Sequence, residues 1–204
     1  MFDDRTDAGL RLARLLSSKS YSDLIVLALP RGGVVVAKPI SDKLVTPLRL
    51  LLVKKLSAPL QPELAIGAIT EKGQRYINTK VVNDLGVDSE YVTKESKRVI
   101  KLLTEKRRMY GGADTSPTGK TVVLVDDGLA TGATVKAAIV SLREQKAKKI
   151  ILAIPVLPRE QVEEIEKGVD ELVYLLAPDN FLAVGQFFRN FPQVSDEKVL
   201  ELLQ

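Results

Sequence analysis

Short apolar runs recur along the chain at 24–29, 48–53, 122–125, 149–154 and 171–176, and stretches with helical periodicity lie between them. Each run is too short for a helix and is bounded by turn residues or charge, so each reads as a strand. Strands that alternate with helices build a parallel sheet whose crossovers are the helices. The fold class expected is therefore α/β, an open parallel sheet flanked by helices. The helices are expected at 7–17, 34–44, 88–110, 135–145 and 159–167. The first carries Ala8, Leu10, Leu12, Ala13, Leu15 and Leu16, an amphipathic set. Pro39 lies inside the second and is expected to kink it or restart a turn. The third is highly charged, with an apolar stripe at Tyr91, Val99, Leu102, Leu103 and Met109. Segments 64–70 and 75–77 are expected to pair as a hairpin across 71–74. A Gly/Pro/Ser/Thr linker spans 111–119.

Composition removes several chemistries. The 204 residues include no cysteine and no histidine. Disulfides, thiolate nucleophiles, histidine bases and histidine metal sites are excluded. A general acid or base must be Asp, Glu, Lys or Tyr. A metal must be held by oxygen, which points to Mg²⁺. Aromatic residues make up only 5% with no Trp, so a stacking platform for single-stranded nucleic acid is not expected. The net charge of +4 suits an anionic ligand but is too small to argue for nucleic acid. The opening MFDDRTDAG is unlike a secretory leader, and no apolar run approaches the roughly 18 residues of a membrane span. The expectation is a cytoplasmic protein with no membrane partner.

Ligands of open α/β sheets collect beyond the carboxyl ends of the strands. Three expected strand exits carry unusual residues: Arg31-Gly32-Gly33 after Pro30, Lys54-Lys55, and 126–134. The last follows a buried strand with two adjacent carboxylates, Asp126 and Asp127, which repel each other and need partners. Gly128, Leu129, Ala130, Thr131, Gly132, Ala133 and Thr134 follow. Small residues there let backbone N–H groups close on a phosphate at a helix N-terminus. The segment is neither a GxxxxGK[ST] loop nor GxGxxG. The Arg-Gly-Gly element could be a plain strand-to-helix turn with a solvated Arg31. Lys54-Lys55 could be a solvated pair, and Arg107-Arg108 reads as a solvated helix end.

The stretch VVLVDDGLATGAT, 122–134, resembles the phosphoribosyl-pyrophosphate (PRPP) motif of the type I phosphoribosyltransferases. It departs from that pattern at Gly128, where the family usually has an apolar residue; a glycine is expected to loosen the loop there. ALPRGG, KKLSAP and PELAIGA are similar to a poorly characterised microbial branch of the family. The resemblance implies a single domain over 1–204, with a core at 20–177, a mobile loop and helical insertion at 54–118, and a C-terminal hood at 178–204.

The resemblance also implies an activity: transfer of the 5-phosphoribosyl group from PRPP to a nucleobase or related nitrogen heterocycle, with loss of pyrophosphate, as in nucleotide salvage. Asp126 and Asp127 would hold the ribose hydroxyls and support Mg²⁺ indirectly. Residues 128–134 would bind the 5′-phosphate. Arg31, Gly32, Gly33, Lys54 and Lys55 would bind pyrophosphate, and Asp126, Asp127 and Lys55 would be the catalytic residues. The loop 56–79, with Glu63, Glu71, Lys72 and Arg75, would close over the substrate. Phe181 is the stacking candidate for the base. The Phe residues of the tail could equally pack a small C-terminal core or a dimer contact. Hypoxanthine-guanine enzymes carry an Asp where this chain has Ala130, so that manner of handling the base is not expected. A homodimer is implied. The other reading is a non-catalytic PRPP-binding regulator.

Overall fold

The computed structural model describes residues 1–111 and 116–204, and the backbone alone of Pro62 and Glu63. Residues 112–115 of the expected linker and the Glu63 side chain lie outside the described residues. The chain divides into two compact units. One comprises residues 1–51, 114–130 and 145–204; the other comprises 52–113 and 131–144.

The first unit holds five parallel strands: β1 (Leu24–Ala28), β2 (Leu48–Leu50), β6 (Thr121–Val125), β7 (Lys149–Val156) and β8 (Glu171–Leu176). Their spatial order is β2-β1-β6-β7-β8. The order reverses at the β1–β6 boundary, where Ala28 pairs with Val125 and the Leu29 N–H donates to the Val125 carbonyl at 2.9 Å. That reversal is the topological switch point at which open α/β sheets bind ligands. All five residues of β6 are buried, as expected of a central strand covered on both faces.

Two helices frame the switch point. Helix α1 (Arg5–Ser17) starts two residues earlier than the periodicity implied, because Asp4 caps it by accepting from the Asp7 N–H at 2.9 Å. Helix α2 (Gly32–Leu44) runs through Pro39 to an αL cap at Val45. The two helices approach closely at Gly9, where a Cβ would stand 2.4 Å from the Val36 carbonyl oxygen. This contact sets where the N-terminus of α1, and hence Arg5, lies.

The C-terminal tail lies along the first residues of the chain. The Phe2 N–H donates to the Phe187 carbonyl and the Arg189 N–H to the Phe2 carbonyl, both at 2.8 Å. Phe2, Ala8, Val156 and Phe188 form a buried cluster, with Phe181, Val184, Phe187 and Phe191 against it. The tail phenylalanines thus pack a small C-terminal core, which Phe2, at the opposite end of the chain, completes. A short helix, α7 (Asp196–Leu202), capped by Ser195, follows.

The second unit corrects one expectation. The apolar stretch 48–53 is not one strand: β2 ends at Leu50, and β3 (Val53–Ala58) begins a separate sheet. Lys54 and Lys55 therefore lie within an antiparallel strand, not at the exit of a parallel one. Strand β4 (Gln61–Thr70) pairs with β3 on one side and with β5 (Arg75–Ile77) on the other. The expected hairpin is thus present, with Ile69 opposite Arg75. Most of 56–79 is ordered sheet, with a short helix, α3 (Thr79–Asp84), after it.

Helix α4 (Ser89–Tyr110) is capped by Asp88. Its buried face comprises Val92, Glu95, Ser96, Val99, Leu103 and Tyr110, while Leu102 and Met109 are exposed. The stripe drawn from hydrophobicity alone missed Glu95, which tolerates burial because Arg98 grips both its oxygens, at 2.6 and 2.7 Å. Arg107 is likewise not a free helix end: it forms a two-pronged pair with Glu71. Helix α5 (Ala133–Glu144) completes this unit, and α6 (Val162–Glu166) belongs to the first. No helix of the described residues is long and apolar enough to cross a membrane.

Candidate active site

At the switch point the two strand exits meet. The turn after β1 brings Gly32 against Asp127: a Cβ on Gly32 would stand 1.8 Å from Asp127 Oδ2 and 2.4 Å from its Cγ. Gly33 lies against the β6 backbone, where a Cβ would be 2.8 Å from the Val125 carbonyl oxygen and 2.9 Å from Asp126 Cα. Only glycine fits either place. The Arg-Gly-Gly element and the acid pair, chosen separately from the sequence, are thus one packed constellation. The Pro30–Arg31 peptide is cis. Arg31 is half-buried, with its guanidinium 4.0 Å from an Asp196 carboxylate oxygen.

The acid pair is held asymmetrically. The Asp127 N–H donates to Asp126 Oδ1 at 2.8 Å. Burial, and then the neighbouring Asp127 carboxylate, push the Asp126 carboxyl well above the usual range, with Arg5 opposing the shift. Asp127 receives Arg5 Nε on Oδ2 at 2.7 Å. Arg5 itself is buried, with its Cζ 3.6 Å from the centroid of the Phe191 ring and Nη1 donating to the Pro192 carbonyl at 2.8 Å. Sequence reasoning missed Arg5, which stands in an acidic stretch 122 positions from its partner.

The loop after the acids is anchored in the first unit up to Ala130. Leu129 is buried, and its N–H donates to the Val156 carbonyl at 2.9 Å. The Ala130 carbonyl accepts from Gln161 Nε2, and Gln161 Oε1 is buried without a hydrogen-bond partner. Gly128 does not open the loop. A Cβ there would stand 2.5 Å from Val184 Cγ1 and 3.2 Å from Val156 Cγ1, so Val184 of the tail takes up the space. Gly128→Ala is expected to destabilise the protein by about 1–3 kcal/mol through overpacking. Adding Val184→Ala should return part of that loss in thermal denaturation; strictly additive losses would contradict the contact.

Thr131, Gly132, Ala133 and Thr134 lie in the second unit at the start of α5, where the Lys136 N–H donates to the Gly132 carbonyl at 2.8 Å. Lys54 and Lys55 lie in that unit on β3. Phe181 is half-buried, its ring 5.3 Å from that of Phe187.

The site thus sets two carboxylates on a glycine-tight turn beside a buried arginine. The phosphoribosyl transferase domain model matches residues 5–191, and the chain belongs to that family. Two Mycobacterium tuberculosis proteins, MT0597 of strain CDC 1551 and Rv0571c of strain H37Rv, are provisionally named phosphoribosyl transferases. Each is 45% identical over 205 residues, covering all of this chain. The chain spans about half of their length, 46%. Among solved structures, TT1426 from Thermus thermophilus is 36% identical with a TM-score of 0.85, covering 99% of this chain and 97% of that one. A Neisseria gonorrhoeae protein solved with ppGpp bound shares the fold at a TM-score of 0.55 and 12% identity, covering 100% and 93%.

Proposed function

We propose that the chain binds PRPP and transfers its 5-phosphoribosyl group to a ring nitrogen of a nucleobase or related heterocycle. The observation that carries the reading is the contact of Gly32 and Gly33 with Asp127 and Asp126 at the switch point. It supports a site in which ribose hydroxyls meet the carboxylates while pyrophosphate oxygens meet the backbone of the glycine turn. In the reaction the C1–O bond to pyrophosphate breaks and a C1–N bond forms. The centre passes through an oxocarbenium-like state, as glycosides do. Asp126 and Asp127 orient the sugar, and positioning two reactants can contribute about 7–11 kcal/mol. Arg31 offers its guanidinium to the departing pyrophosphate. The pyrophosphate role of Lys54 and Lys55, the 5′-phosphate role of 128–134 and the stacking role of Phe181 rest on the motif resemblance.

Two carboxylates are a donor set suited to Mg²⁺ that arrives with substrate phosphates and keeps most of its waters. Among the described residues no three acidic side chains gather into a cage for a resident ion. Asp126 and Asp127 would hold the ion through water or through the ribose hydroxyls, and it would neutralise charge on the leaving group. With alanine at 130 and its carbonyl taken by Gln161, the base is not met by a carboxylate from that position.

The test is calorimetry with Mg²⁺-PRPP followed by pyrophosphate release against a panel of purine and pyrimidine bases. Binding with release for at least one base is expected. Binding with no release from any base would support the regulatory reading instead, and absence of binding would end both.

A further inference from the structure

We propose that Arg5 is the positioning residue of the sugar site: it fixes Asp127 in its ribose-binding orientation and ties the Phe191-Pro192 segment of the tail to it. The proposal rests on the PRPP reading above. A cation in the first turn of a helix faces the positive end of the helix dipole, and burying it adds a desolvation cost. Arg5 is nevertheless only 7% exposed in the first turn of α1. Three contacts offset that cost, each on a different part of the guanidinium. Nε donates to Asp127 Oδ2 at 2.7 Å, Nη1 donates to the Pro192 carbonyl at 2.8 Å, and the plane lies over Phe191 at 3.6 Å.

The geometry constrains the carboxylate from two sides. Arg5 draws Oδ2 toward α1, while the bare face of Gly32 leaves just enough room for that oxygen; a Cβ there would also stand 3.0 Å from Arg5 Nε. With one edge of Asp127 gripped, the direction of the other edge is set. Planar, forked arginine can do this while holding the tail carbonyl; a lysine ammonium is a point charge and can hold Asp127 but not the whole arrangement. The packing of α1 on α2 through Gly9 supplies the rigid base from which Arg5 reaches.

Arg5→Gln removes the charge and Arg5→Lys keeps it. The probes are ribose 5-phosphate, inorganic pyrophosphate and Mg²⁺-PRPP, measured by calorimetry on the full chain. Arg5→Gln is expected to weaken ribose 5-phosphate and Mg²⁺-PRPP by about tenfold or more, the equivalent of one charge-assisted hydrogen bond. Pyrophosphate affinity should change little, and Arg5→Lys should recover most of the ribose 5-phosphate affinity. In an Asp127→Asn background Arg5→Gln should cost nothing further, because its effect runs through Asp127. Equal losses for ribose 5-phosphate and pyrophosphate, or additive losses with Asp127→Asn, would overturn the proposal. Should Arg5→Gln fail to fold, Arg5→Lys decides by the same ligand comparison: the same loss on both ligands overturns it, and near-native ribose 5-phosphate affinity supports it. Wild-type protein that binds no Mg²⁺-PRPP would bring down the functional reading; wild-type binding with a ligand-independent Arg5 effect would bring down this inference alone.

Discussion

Gly32→Ala is expected to weaken binding of Mg²⁺-PRPP markedly while leaving a folded protein. The new methyl would occupy a position 1.8 Å from Asp127 Oδ2, far inside van der Waals contact. Backbone on the helix side is held by α2, so the carboxylate must yield, and the 2.7 Å bond from Arg5 goes with it. Loss of a charge-assisted bond to a ribose hydroxyl is worth about 1.5–3 kcal/mol, or roughly 10- to 100-fold in Kd. Overpacking should cost about 1–3 kcal/mol of stability, a fall in Tm of about 2–4 °C per kcal/mol for a chain of this size. Asp127→Ala makes room for the methyl but leaves Arg5 buried without its carboxylate, so it lowers Tm by itself. Gly32→Ala should cost less when added to it than in the wild type, and the double variant should not regain ligand. Calorimetry and thermal denaturation on the three variants check this. A Gly32→Ala protein with native Kd would mean that Asp127 does not meet the ligand.

The parallel sheet was legible because its strands are short apolar runs ended by turn residues, and for four of the five the bounds in the structure differ by at most two residues. The break at Leu51-Leu52 was not legible. Hydrophobicity is continuous from Leu50 to Val53, yet β2 ends at Leu50 and Val53 begins an antiparallel strand of a separate sheet. Periodicity reports burial and cannot say against which sheet a residue is buried. Lys54 and Lys55 were consequently read as a strand exit.

The acid pair and the glycine turn announced themselves by local chemistry, whereas the group that organises them did not. Arg5 looks like any surface arginine until Asp127, Phe191 and Pro192 are brought to it. The pairing of Glu71 with Arg107 was missed for the same reason, since long-range ion pairs leave no spacing signal. Val184 shows the converse case. The departure at Gly128 looked like a loosened loop, but a residue 56 positions later fills the space.

Asp126→Asn should make the ligand-free protein more stable at neutral and alkaline pH, while weakening Mg²⁺-PRPP by about tenfold or more through loss of an ionic acceptor. The two effects have one origin. Burial and the Asp127 charge raise the folded-state carboxyl of Asp126 well above its unfolded value. The folded protein then holds a proton that the unfolded chain has released, and wild-type stability falls as pH rises from the usual carboxylate range through the raised value. Asparagine is neutral throughout and can still accept the Asp127 N–H that now meets Oδ1 at 2.8 Å. The difference in Tm should therefore vanish in acid below the ordinary carboxylate range. It should open as pH rises and level off once wild-type Asp126 is ionised, at about 0.5–2 kcal/mol, the size usual for a single stabilising substitution. Bound ligand should reverse the order, because hydroxyl donors from the sugar and the accompanying cation favour the ionised carboxylate. Thermal denaturation across pH, with and without Mg²⁺-PRPP, tests both halves. A Tm difference that does not depend on pH would show that Asp126 is not the group whose ionisation the fold resists and the ligand exploits.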